Sequence, residues 1–373
     1  MNDPEERVLV FCHSHYGPFA DVVRQYSALF KGTRYKVTSV YLTGEPSSSV
    51  KSLSDSDEVI FMNLTSKEVH GLKLKAIFEL RRIFATRNIK YVIAHRFKPI
   101  YISLFATRLP VYGVHHAFGD YGRWSHRLFV SLFKNRLTLI GISDAIRDDI
   151  RKDLPRWPTN RLITFYNRID VSGTRSVLFP RDKARAALGL SAGTFVIANV
   201  GRLHPDKDQA TLIKGFSMAL PELPEDCCLV IAGEGRLEDE LRQLVHKLGL
   251  SRRVQFLGQV PNVRRLFAAF DLFVLPSDRE PFGMVLLEAF AARVPVLVSD
   301  CGGAPEVVVD VSARFPFANA KSLSNKLIEW SSKSPMDLAR ITESNFSELC
   351  RRFSDEVAQR EFFKLQQIRN LNL

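Results

Sequence analysis

The chain has 373 residues, few cysteines and no long apolar run, and its first residues do not resemble a secretory signal. Its five cysteines are an odd number without a C-x-x-C pair, and most lie among apolar residues, so we expect reduced, buried thiols. No apolar run reaches the ~18 residues that a membrane-spanning helix requires. The start, MNDPEERVLVFC, lacks the basic flank and apolar core of a secretory signal. These absences indicate a cytoplasmic protein, at most peripheral on the inner face of the plasma membrane.

Two ligand-binding signatures are also missing or weak. The strand predicted at 7–15 leads into a loop at Gly17, where open α/β sheets place ligands, but this loop is not a G-x-G-x-x-G dinucleotide fingerprint. Asp55 and Asp57 form a D-x-D pair, which can bind a metal ion through a diphosphate. They lie in the Ser-rich stretch 45–57, which we interpret as a surface loop. We therefore predict neither a plain dinucleotide fold nor a metal site.

Acidic residues are scarce between positions 72 and 137, which we call the basic block. It holds 13 Lys or Arg and only Glu79 and Asp120 as acids, a net charge of +11 out of +12 for the whole chain. This indicates an anionic partner (a phosphorylated acceptor, an acidic membrane surface or nucleic acid), unless the block is only a solvated face. Within it, 123–137 has the pattern of a basic amphipathic helix, which either lies in a membrane interface or docks on its own domain.

The rest of the composition is that of a globular protein, with 46% hydrophobic and 25% charged residues, and the length suggests two domains. Strand and helix patterns alternate along the chain, which predicts parallel α/β sheets. The stretch 171–183 loses this periodicity, and we interpret it as a linker. We predict a first domain at 1–175, joined by a C-terminal helix at 354–373, and a second domain at 176–353.

Histidines stand at the ends of two predicted strands in the first domain. His95 and Arg96 end one strand, and His115 and His116 end the next. The carboxyl ends of parallel strands meet at one edge, so these side chains should share a crevice with Gly17. There they could hydrogen-bond a transferred sugar or an acceptor. The alternative is that the histidines are hydrogen-bonded within their own loop.

The most informative stretch of the chain is 277–306, SDREPFGMVLLEAFAARVPVLVSDCGGAPE. Its pattern predicts a strand, a loop, a helix over 282–292 and another strand. The start of that helix is an anion site. Glu280 and Glu288, eight residues apart, would flank a bound phosphate and accept hydrogen bonds from sugar hydroxyls. The alternative is an ordinary amphipathic helix with two solvated glutamates.

A second cluster of candidate residues lies earlier in the second domain. Arg202 and Lys207 bracket the loop that follows the strand predicted at 194–203. An arginine and a lysine at that position suit a diphosphate. Gly235 and Gly258 also stand at carboxyl ends of predicted strands, as Glu280 and Gly283 do. This convergence indicates one ligand site more strongly than any single motif.

These motifs resemble those of the retaining glycosyltransferases of family 4, which have the GT-B fold and include lipopolysaccharide-core and mannosyl transferases. The E-x7-E motif within EPFGMVLLEA carries the resemblance, and GRLHPDKD, LVIAGEG, RVQFLGQV and GGAPE follow in the family's order and spacing. ISDAIRDDI and the YNRID around Asn167 match as well. The resemblance is strong over 140–308 and weak over the first 110 residues. It implies two Rossmann-like domains facing across a cleft, with a C-terminal helix that returns to the first.

The resemblance also implies roles for individual residues. Arg202 and Lys207 would hold the donor diphosphate, Glu280 the donor sugar and Glu288 the ribose. Main-chain groups would contact the phosphates or sugar at Phe282, Gly283 and Met284, and the base from Leu257 through Gly258 to Val260. His115 best matches the family's histidine near the transferred sugar, with His116 leaving the register open. Gly17 stands where the family often has two glycines, and Arg293 replaces a usual glycine.

The implied activity is metal-independent transfer of a sugar, with retention, from a nucleotide sugar to a hydroxyl of a glycolipid or glycan, without a bound cofactor. His95, Arg96 and His116 are candidates for acceptor binding. A sugar-nucleotide epimerase on the same architecture would share the donor site and need no acceptor. A nucleic-acid-binding protein would use the basic block, but the sequence lacks recognised RNA or DNA motifs, so we expect no nucleic-acid partner.

Overall fold

The computed structural model describes residues 5–16 and 19–365. The chain divides into two compact units, one formed by Met1–Asn167 with Asp355–Leu373 and the other by Arg168–Ser354. Each unit is built on its own parallel sheet, so the predicted pair of α/β domains is confirmed.

The first unit is organised around a sheet of seven parallel strands in the order β3-β2-β1-β4-β5-β6-β7. Most residues of its central strands are buried, which explains the near-continuous apolar runs in their sequence. The strands are β1 (Arg7–Ser14), β2 (Lys36–Thr43), β3 (Glu58–Phe61), β4 (Ile89–His95), β5 (Val111–His115), β6 (Leu137–Gly141) and β7 (Leu162–Thr164).

The helices of the first unit connect successive parallel strands. They are α1 (Phe19–Ala28), α2 (Ser48–Leu53), α3 (Leu74–Ala85), α4 (Phe97–Ala106), α5 (Trp124–Ser131) and α6 (Asp144–Asp153). The interpretation of 45–57 as a loop was wrong, because Ser47 caps α2 by accepting from the Val50 amide. The sequence analysis assigned no element to α4, whose apolar face is too broad to give a clear helical period.

The second unit has a sheet of six parallel strands in the order β10-β9-β8-β11-β12-β13. The strands are β8 (Phe195–Val200), β9 (Cys227–Ala232), β10 (Val254–Gly258), β11 (Leu272–Leu275), β12 (Val296–Ser299) and β13 (Arg314–Phe315). The helices are α7 (Val171–Ser176), α8 (Arg181–Ala187), α9 (Gln209–Ala219), α10 (Glu238–Lys247), α11 (Met284–Ala291), α12 (Ala304–Val307), α13 (Ala320–Ser331) and α14 (Pro335–Arg352). Thus 171–183, predicted to be an aperiodic linker, contains α7 and the start of α8.

The C-terminal helix α15 (Asp355–Lys364) packs on α1 of the first unit. Gln359 Nε2 donates to the Leu29 carbonyl at 2.9 Å, and Arg24 pairs with Asp355 at 2.7 Å. The rings of Phe30 and Phe362 meet edge to face, 5.7 Å between centroids. These contacts show that α15 packs within the first unit, as predicted for the C-terminal helix. Residues of the predicted helix beyond 365 lie outside the described part.

The structure bears on two expectations from the sequence, namely that the cysteines are buried and that no helix spans a membrane. Cys12, Cys227 and Cys228 are buried, and burial raises the pKa of all three thiols. Cys301 is only part-buried. Over residues 5–16 and 19–365, the structure has no helix that combines the length and the apolarity needed to cross a membrane.

Candidate functional site

The carboxyl edge of the second sheet brings two of the predicted ligand-binding segments together. β8 and β11 pair in parallel, and at this point the strand order changes direction. The segment after β8 carries Arg202 and Lys207, and the segment after β11 carries Ser277 and Glu280. Open α/β sheets bind ligands in the crevice at such a switch point.

Lys207 and Glu280 form an ion pair within this edge. Lys207 Nζ donates to Glu280 Oε2 at 2.6 Å, and Ser277 Oγ donates to the same oxygen at 3.2 Å. The side chains are 17% and 9% exposed, so the carboxylate is held almost out of water with its charge compensated. Removing one partner of a buried pair leaves the other charge uncompensated, which costs about 3–5 kcal/mol. The pair therefore fixes an ammonium and a carboxylate side by side.

Arg202 differs from Lys207 because its side chain is 71% exposed. Its guanidinium lies 3.4 Å from Asp206, whose other oxygen is 2.6 Å from His204 Nδ1. The main-chain carbonyl of Asp206 accepts from the Asp278 amide at 3.0 Å and so ties the two segments together. The sequence analysis missed Asp206 and His204. The sequence signal that could have identified Asp206 is its position four residues after Arg202.

Gly302 and Gly303 allow their main chain to pack closely against the segment that carries Glu280. A Cβ on Gly302, which has φ +62°, would meet the Glu280 carbonyl oxygen at 2.3 Å. A Cβ on Gly303 would meet the Pro281 oxygen at 2.5 Å, and the Gly303 amide donates to the Glu280 carbonyl at 2.7 Å. Side chains at these two positions would displace the main chain that carries Glu280. The GGAPE motif is thus explained by close packing.

The same packing holds the turn after β9. A Cβ on Gly235 would meet the Leu203 carbonyl oxygen at 2.3 Å, so this predicted donor-binding residue lies against the segment that follows β8. The Gln259 amide, inside the stretch predicted to bind the base, donates to Glu234 Oε1 at 3.2 Å. Glu234 was not singled out from the sequence. Leu257, Gly258 and Val260 are only part-buried, so they border solvent at this edge.

Helix α11 begins at Met284, two residues later than predicted. Gly283 precedes it with φ 94°, a left-handed conformation that excludes helical geometry for most residues. Phe282 is 1% exposed, and its ring packs on that of Phe353 with 5.5 Å between the centroids, so its side chain belongs to the core. Glu288 is part-buried on the second turn. At the other end, Arg293 adopts φ 57° and closes the helix in the conformation usually left to glycine.

The carboxyl edge of the first sheet is lined by histidines from adjacent strands. His115, at the end of β5, is fully buried. Its Nδ1 lies 2.7 Å from Asp120 Oδ2, and its Nε2 lies 3.1 Å from the Tyr121 hydroxyl. Both ring nitrogens are therefore engaged inside the protein. This environment does not suit the sugar contact expected of His115.

His116 follows the end of β5 and is half-buried. Its Nε2 lies 3.0 Å from Nδ1 of His95, which ends β4 and is fully buried. Burial, together with the nearby His115 and Arg96, lowers the pKa of His116 to about 3. The ring is therefore neutral at pH 7, with one donor and one acceptor nitrogen.

Arg96 is exposed beside this histidine pair and has φ 72°, a strained conformation for a residue with a side chain. Its guanidinium lies 4.7 Å from the centre of the Phe19 ring. Gly17, the remaining residue predicted at this edge, lies outside the described residues.

Both carboxylates of the D-x-D pair have partners within the protein. Asp55 pairs with Lys31, and Asp57 accepts from the Val37 amide at 2.8 Å and pairs with Lys36. Across residues 5–16 and 19–365, no group of three or more His, Cys, Asp or Glu could hold a metal ion.

Residues 180–347 match the family model described as "Glycosyl transferases group 1". The second unit carries a glycosyl transferases group 1 domain. The match spans under half of the 373 residues and includes Arg202, Lys207, Glu280 and Glu288.

Curated relatives are similar over less than half of the chain. An uncharacterized glycosyltransferase of Methanocaldococcus jannaschii is 40% identical over 176 residues, 46% of this chain and 44% of the relative. A GDP-mannose-dependent monoacylated alpha-(1-6)-phosphatidylinositol monomannoside mannosyltransferase of Corynebacterium glutamicum is 38% identical over 162 residues, 40% of this chain and 42% of the relative. The lipopolysaccharide core biosynthesis mannosyltransferase LpsB of Rhizobium meliloti is 34% identical over 135 residues, covering 35% and 38%. The chain thus spans less than half the length of these relatives.

Solved structures match both units. A glycosyltransferase from Rickettsia africae has a TM-score of 0.83 and 18% identity over 98% of this chain and 99% of that one. Anabaena HepE in complex with UDP and glucose has a TM-score of 0.76 and 20% identity over 98% and 100%. At these identities the likeness establishes the fold, two Rossmann-like parallel-sheet units as in GT-B glycosyltransferases, and residue roles have to be argued from the site.

Proposed function

We propose that the protein is a retaining glycosyltransferase of the hexosyltransferase class. It moves a sugar from a UDP- or GDP-sugar to a hydroxyl of a glycolipid or polysaccharide. The observation that carries this proposal is the buried Lys207–Glu280 pair next to exposed Arg202 at the switch point of the second sheet. Cations that suit a diphosphate and a carboxylate that suits sugar hydroxyls there share one short edge.

The comparisons support this donor class. One relative is named as GDP-mannose-dependent, and one structural neighbour is bound to UDP and glucose. We assign the donor diphosphate to Arg202 and Lys207, the sugar hydroxyls to Glu280 and the ribose hydroxyls to Glu288. Main-chain groups of 282–284 would contact the phosphates or sugar, and those of 257–260 would contact the base.

In the proposed reaction, the bond between the anomeric carbon and the diphosphate oxygen breaks. The acceptor oxygen bonds to the same face of that carbon, and its proton passes to the leaving phosphate. The leaving group gains negative charge, which Arg202, Lys207 and the amino-terminal end of α11 stabilise in advance. The reaction as written requires neither a protein nucleophile nor a metal ion.

At the histidine edge of the first unit, we assign the sugar contact to His116. Its ring is neutral, half-buried and placed beyond the end of β5, whereas the nitrogens of His115 are bound to Asp120 and Tyr121. His115 then serves to hold the loop that carries Asp120. His95 and Arg96 flank His116 and remain our candidates for acceptor binding.

We place the acceptor on the first unit, since the basic block suits a phosphorylated glycolipid at the inner face of the plasma membrane. Two relatives are named for mannosyl transfer to a phosphatidylinositol monomannoside and in lipopolysaccharide core biosynthesis. These names support synthesis of lipopolysaccharide or another surface glycan by a cytoplasmic, peripheral protein.

A donor screen tests the proposal. Purified protein is mixed with individual UDP- and GDP-sugars and with UDP and GDP alone, and the melting temperature and slow donor hydrolysis are measured. We expect one nucleotide sugar to stabilise the protein more than its bare diphosphate does, and Glu280→Gln to remove that difference while keeping the effect of the diphosphate. Absence of stabilisation and hydrolysis with every donor would contradict the proposal. NMR of the donor without acceptor would detect an epimerase, because a second nucleotide sugar would accumulate.

A further inference from the structure

Large apolar side chains are exposed on helix α3 and the segment before it. Leu72, Leu74 and Phe78 are 67%, 68% and 56% exposed. With Tyr101 and Phe105 of α4 they line an open groove of about 440 Å³. Contiguous exposed apolar surface of this kind marks an interaction site more often than scattered single residues do.

Helix α5 extends this apolar surface. Trp124, Leu128 and Leu132 are 69%, 58% and 73% exposed, and their spacing of four places them on one stripe. The opposite side of α5 docks on α4, because the Phe129 ring lies 5.6 Å from Phe105 and 4.7 Å from Tyr101. Helices α3, α4 and α5 therefore lie side by side. We call their exposed apolar set the apolar face: Leu72, Leu74, Phe78, Phe105, Trp124, Leu128 and Leu132.

Positive charge surrounds the apolar face. Lys73 Nζ lies 4.5 Å from the Tyr101 ring centre, and the Arg82 guanidinium lies 4.6 Å from that of Phe78. The other cations on these helices or next to them in the sequence are Lys75, Arg81, Lys98, Arg123, Arg127 and Lys134, whereas Glu79 is the one acid within α3, α4 and α5. Long basic side chains beside exposed apolar ones are typical of surfaces that lie in a membrane interface.

Three cations elsewhere in the basic block have partners within the unit. Arg87 pairs with Glu58 at 2.6 Å, and Lys90 pairs with Glu6 at 2.8 Å. Arg136 donates to the Thr107 carbonyl at 2.7 Å. These partners reduce the charge that this part of the block offers to an external anion, and a polyanion that binds through charge alone would not need the apolar face.

We propose that the apolar face inserts into the interfacial layer of an anionic lipid bilayer while the surrounding lysines and arginines contact lipid phosphates. This inference deepens the proposed function and rests on it for the choice of a membrane that displays a glycolipid acceptor. Burial of the apolar side chains supplies a contribution that salt does not screen, and the cations select anionic lipid.

The protein carries its own reporter for the test. Trp124 is 69% exposed, whereas Trp157 and Trp330, the other tryptophans, are 5% and 2% exposed. Full-length protein is titrated with phosphatidylcholine vesicles that contain or lack phosphatidylglycerol, without any nucleotide sugar. We expect the anionic vesicles to shift tryptophan emission to the blue and to protect it from acrylamide. Trp124→Phe should bind the same vesicles without the shift.

A paired variant separates insertion from charge attraction. Leu128→Ser with Leu132→Ser should weaken partition into anionic vesicles at least about tenfold, since each buried leucine contributes roughly 1.5–3 kcal/mol. Met336→Ser, which alters a residue 79% exposed in the second unit, should bind as the parent does. Melting temperature and donor-induced stabilisation of each variant check folding.

Three results would overturn the proposal: equal partition of the double variant and the parent, vesicle binding without a Trp124 shift, and no vesicle binding. A dimer of the parent that the leucine substitutions abolish, seen by analytical ultracentrifugation without lipid, would instead assign the face to a second copy of the chain. Vesicle binding is measured without a donor, and the donor screen is performed without lipid. Each experiment can therefore fail while the other succeeds, so failure of the membrane proposal can be told apart from failure of the proposed function.

Discussion

The carboxyl edges of the two sheets carry different kinds of side chains. At the edge of the second sheet, a buried amine–carboxylate pair is fixed between main chains that approach too closely for side chains, at Gly302 and Gly303. At the edge of the first sheet, histidine rings bind one another and an aspartate, and Arg96 holds a strained conformation. The first arrangement presents a paired ammonium and carboxylate, and the second presents histidine rings beside an exposed arginine. Under the proposed function, the charged edge would bind the diphosphate that many donors share, whereas the histidine edge would contact a particular hydroxyl.

The largest effect should come from the fixed charge. Lys207→Ala should lower turnover by about 10²–10³-fold, because a preorganised cation no longer stabilises the leaving diphosphate. It should also destabilise the fold by about 3–5 kcal/mol, since Glu280 is left buried without its partner.

The double variant Lys207→Ala with Glu280→Gln is the control for folding. It should recover much of the lost stability and stay inactive, as measured by urea unfolding and donor turnover. The exposed Lys247→Ala should change neither quantity. A folded Lys207→Ala with normal turnover would remove the basis for the donor site.

The next effect tests the close main-chain contact of the second edge. Gly302→Ala should destabilise the protein by about 1–3 kcal/mol more than its control and reduce activity, because the new Cβ would displace the Glu280 carbonyl. Gly249→Ala is a matched control, as Gly249 has φ +69° with nothing within 4 Å of the Cβ position. Equal unfolding free energies for the two variants would show that the contact relaxes without cost.

Substitutions of His115 and His116 should affect different quantities, stability for the first and turnover for the second. His115→Ala should lower the unfolding free energy by about 1–3 kcal/mol, since it leaves the partners Asp120 and Tyr121 without their hydrogen bonds. His116→Ala should lower turnover with a smaller loss of stability. The reverse pattern would return the sugar contact to His115.

The smallest effect concerns pH. His116 and His13 have pKa values lowered from 6.5 to about 3 and about 4, chiefly by burial. The unfolded chain therefore binds more protons than the folded chain below pH 6.5, and the free energy of unfolding should fall as the pH drops from 6.5 toward 4. Asp120, whose pKa is lowered by His115, acts in the same direction at lower pH. His116→Asn should flatten this decline in melting temperature, and an unchanged slope would contradict the assignment.

The sequence predicted the fold well because parallel strands buried on both faces leave long apolar runs between helical periods. It placed Lys207 and Glu280 at one edge, since strand alternation fixes which loops meet there. It could not choose between His115 and His116, because that depends on which ring the loop at Asp120 encloses. Helix α4 was missed because its apolar side chains surround it. The resemblance marked position 293 as a usual glycine, and Arg293 closes the helix in the left-handed conformation that glycine adopts most easily.

One consequence concerns how the proposed donor site is held. The groups that bind Glu280, namely the Lys207 amine, the Ser277 hydroxyl and the Gly303 amide, belong to the same compact unit, Arg168–Ser354. The hydrogen bonds to Glu280 could therefore be transferred to another protein together with this unit, because all three groups that form them belong to it. A chimera that joins this unit to the first unit of another protein of the same fold should keep the Lys207–Glu280 pair and the affinity for the nucleotide diphosphate, whereas the acceptor and the sugar contact assigned to His116 would depend on the new first unit.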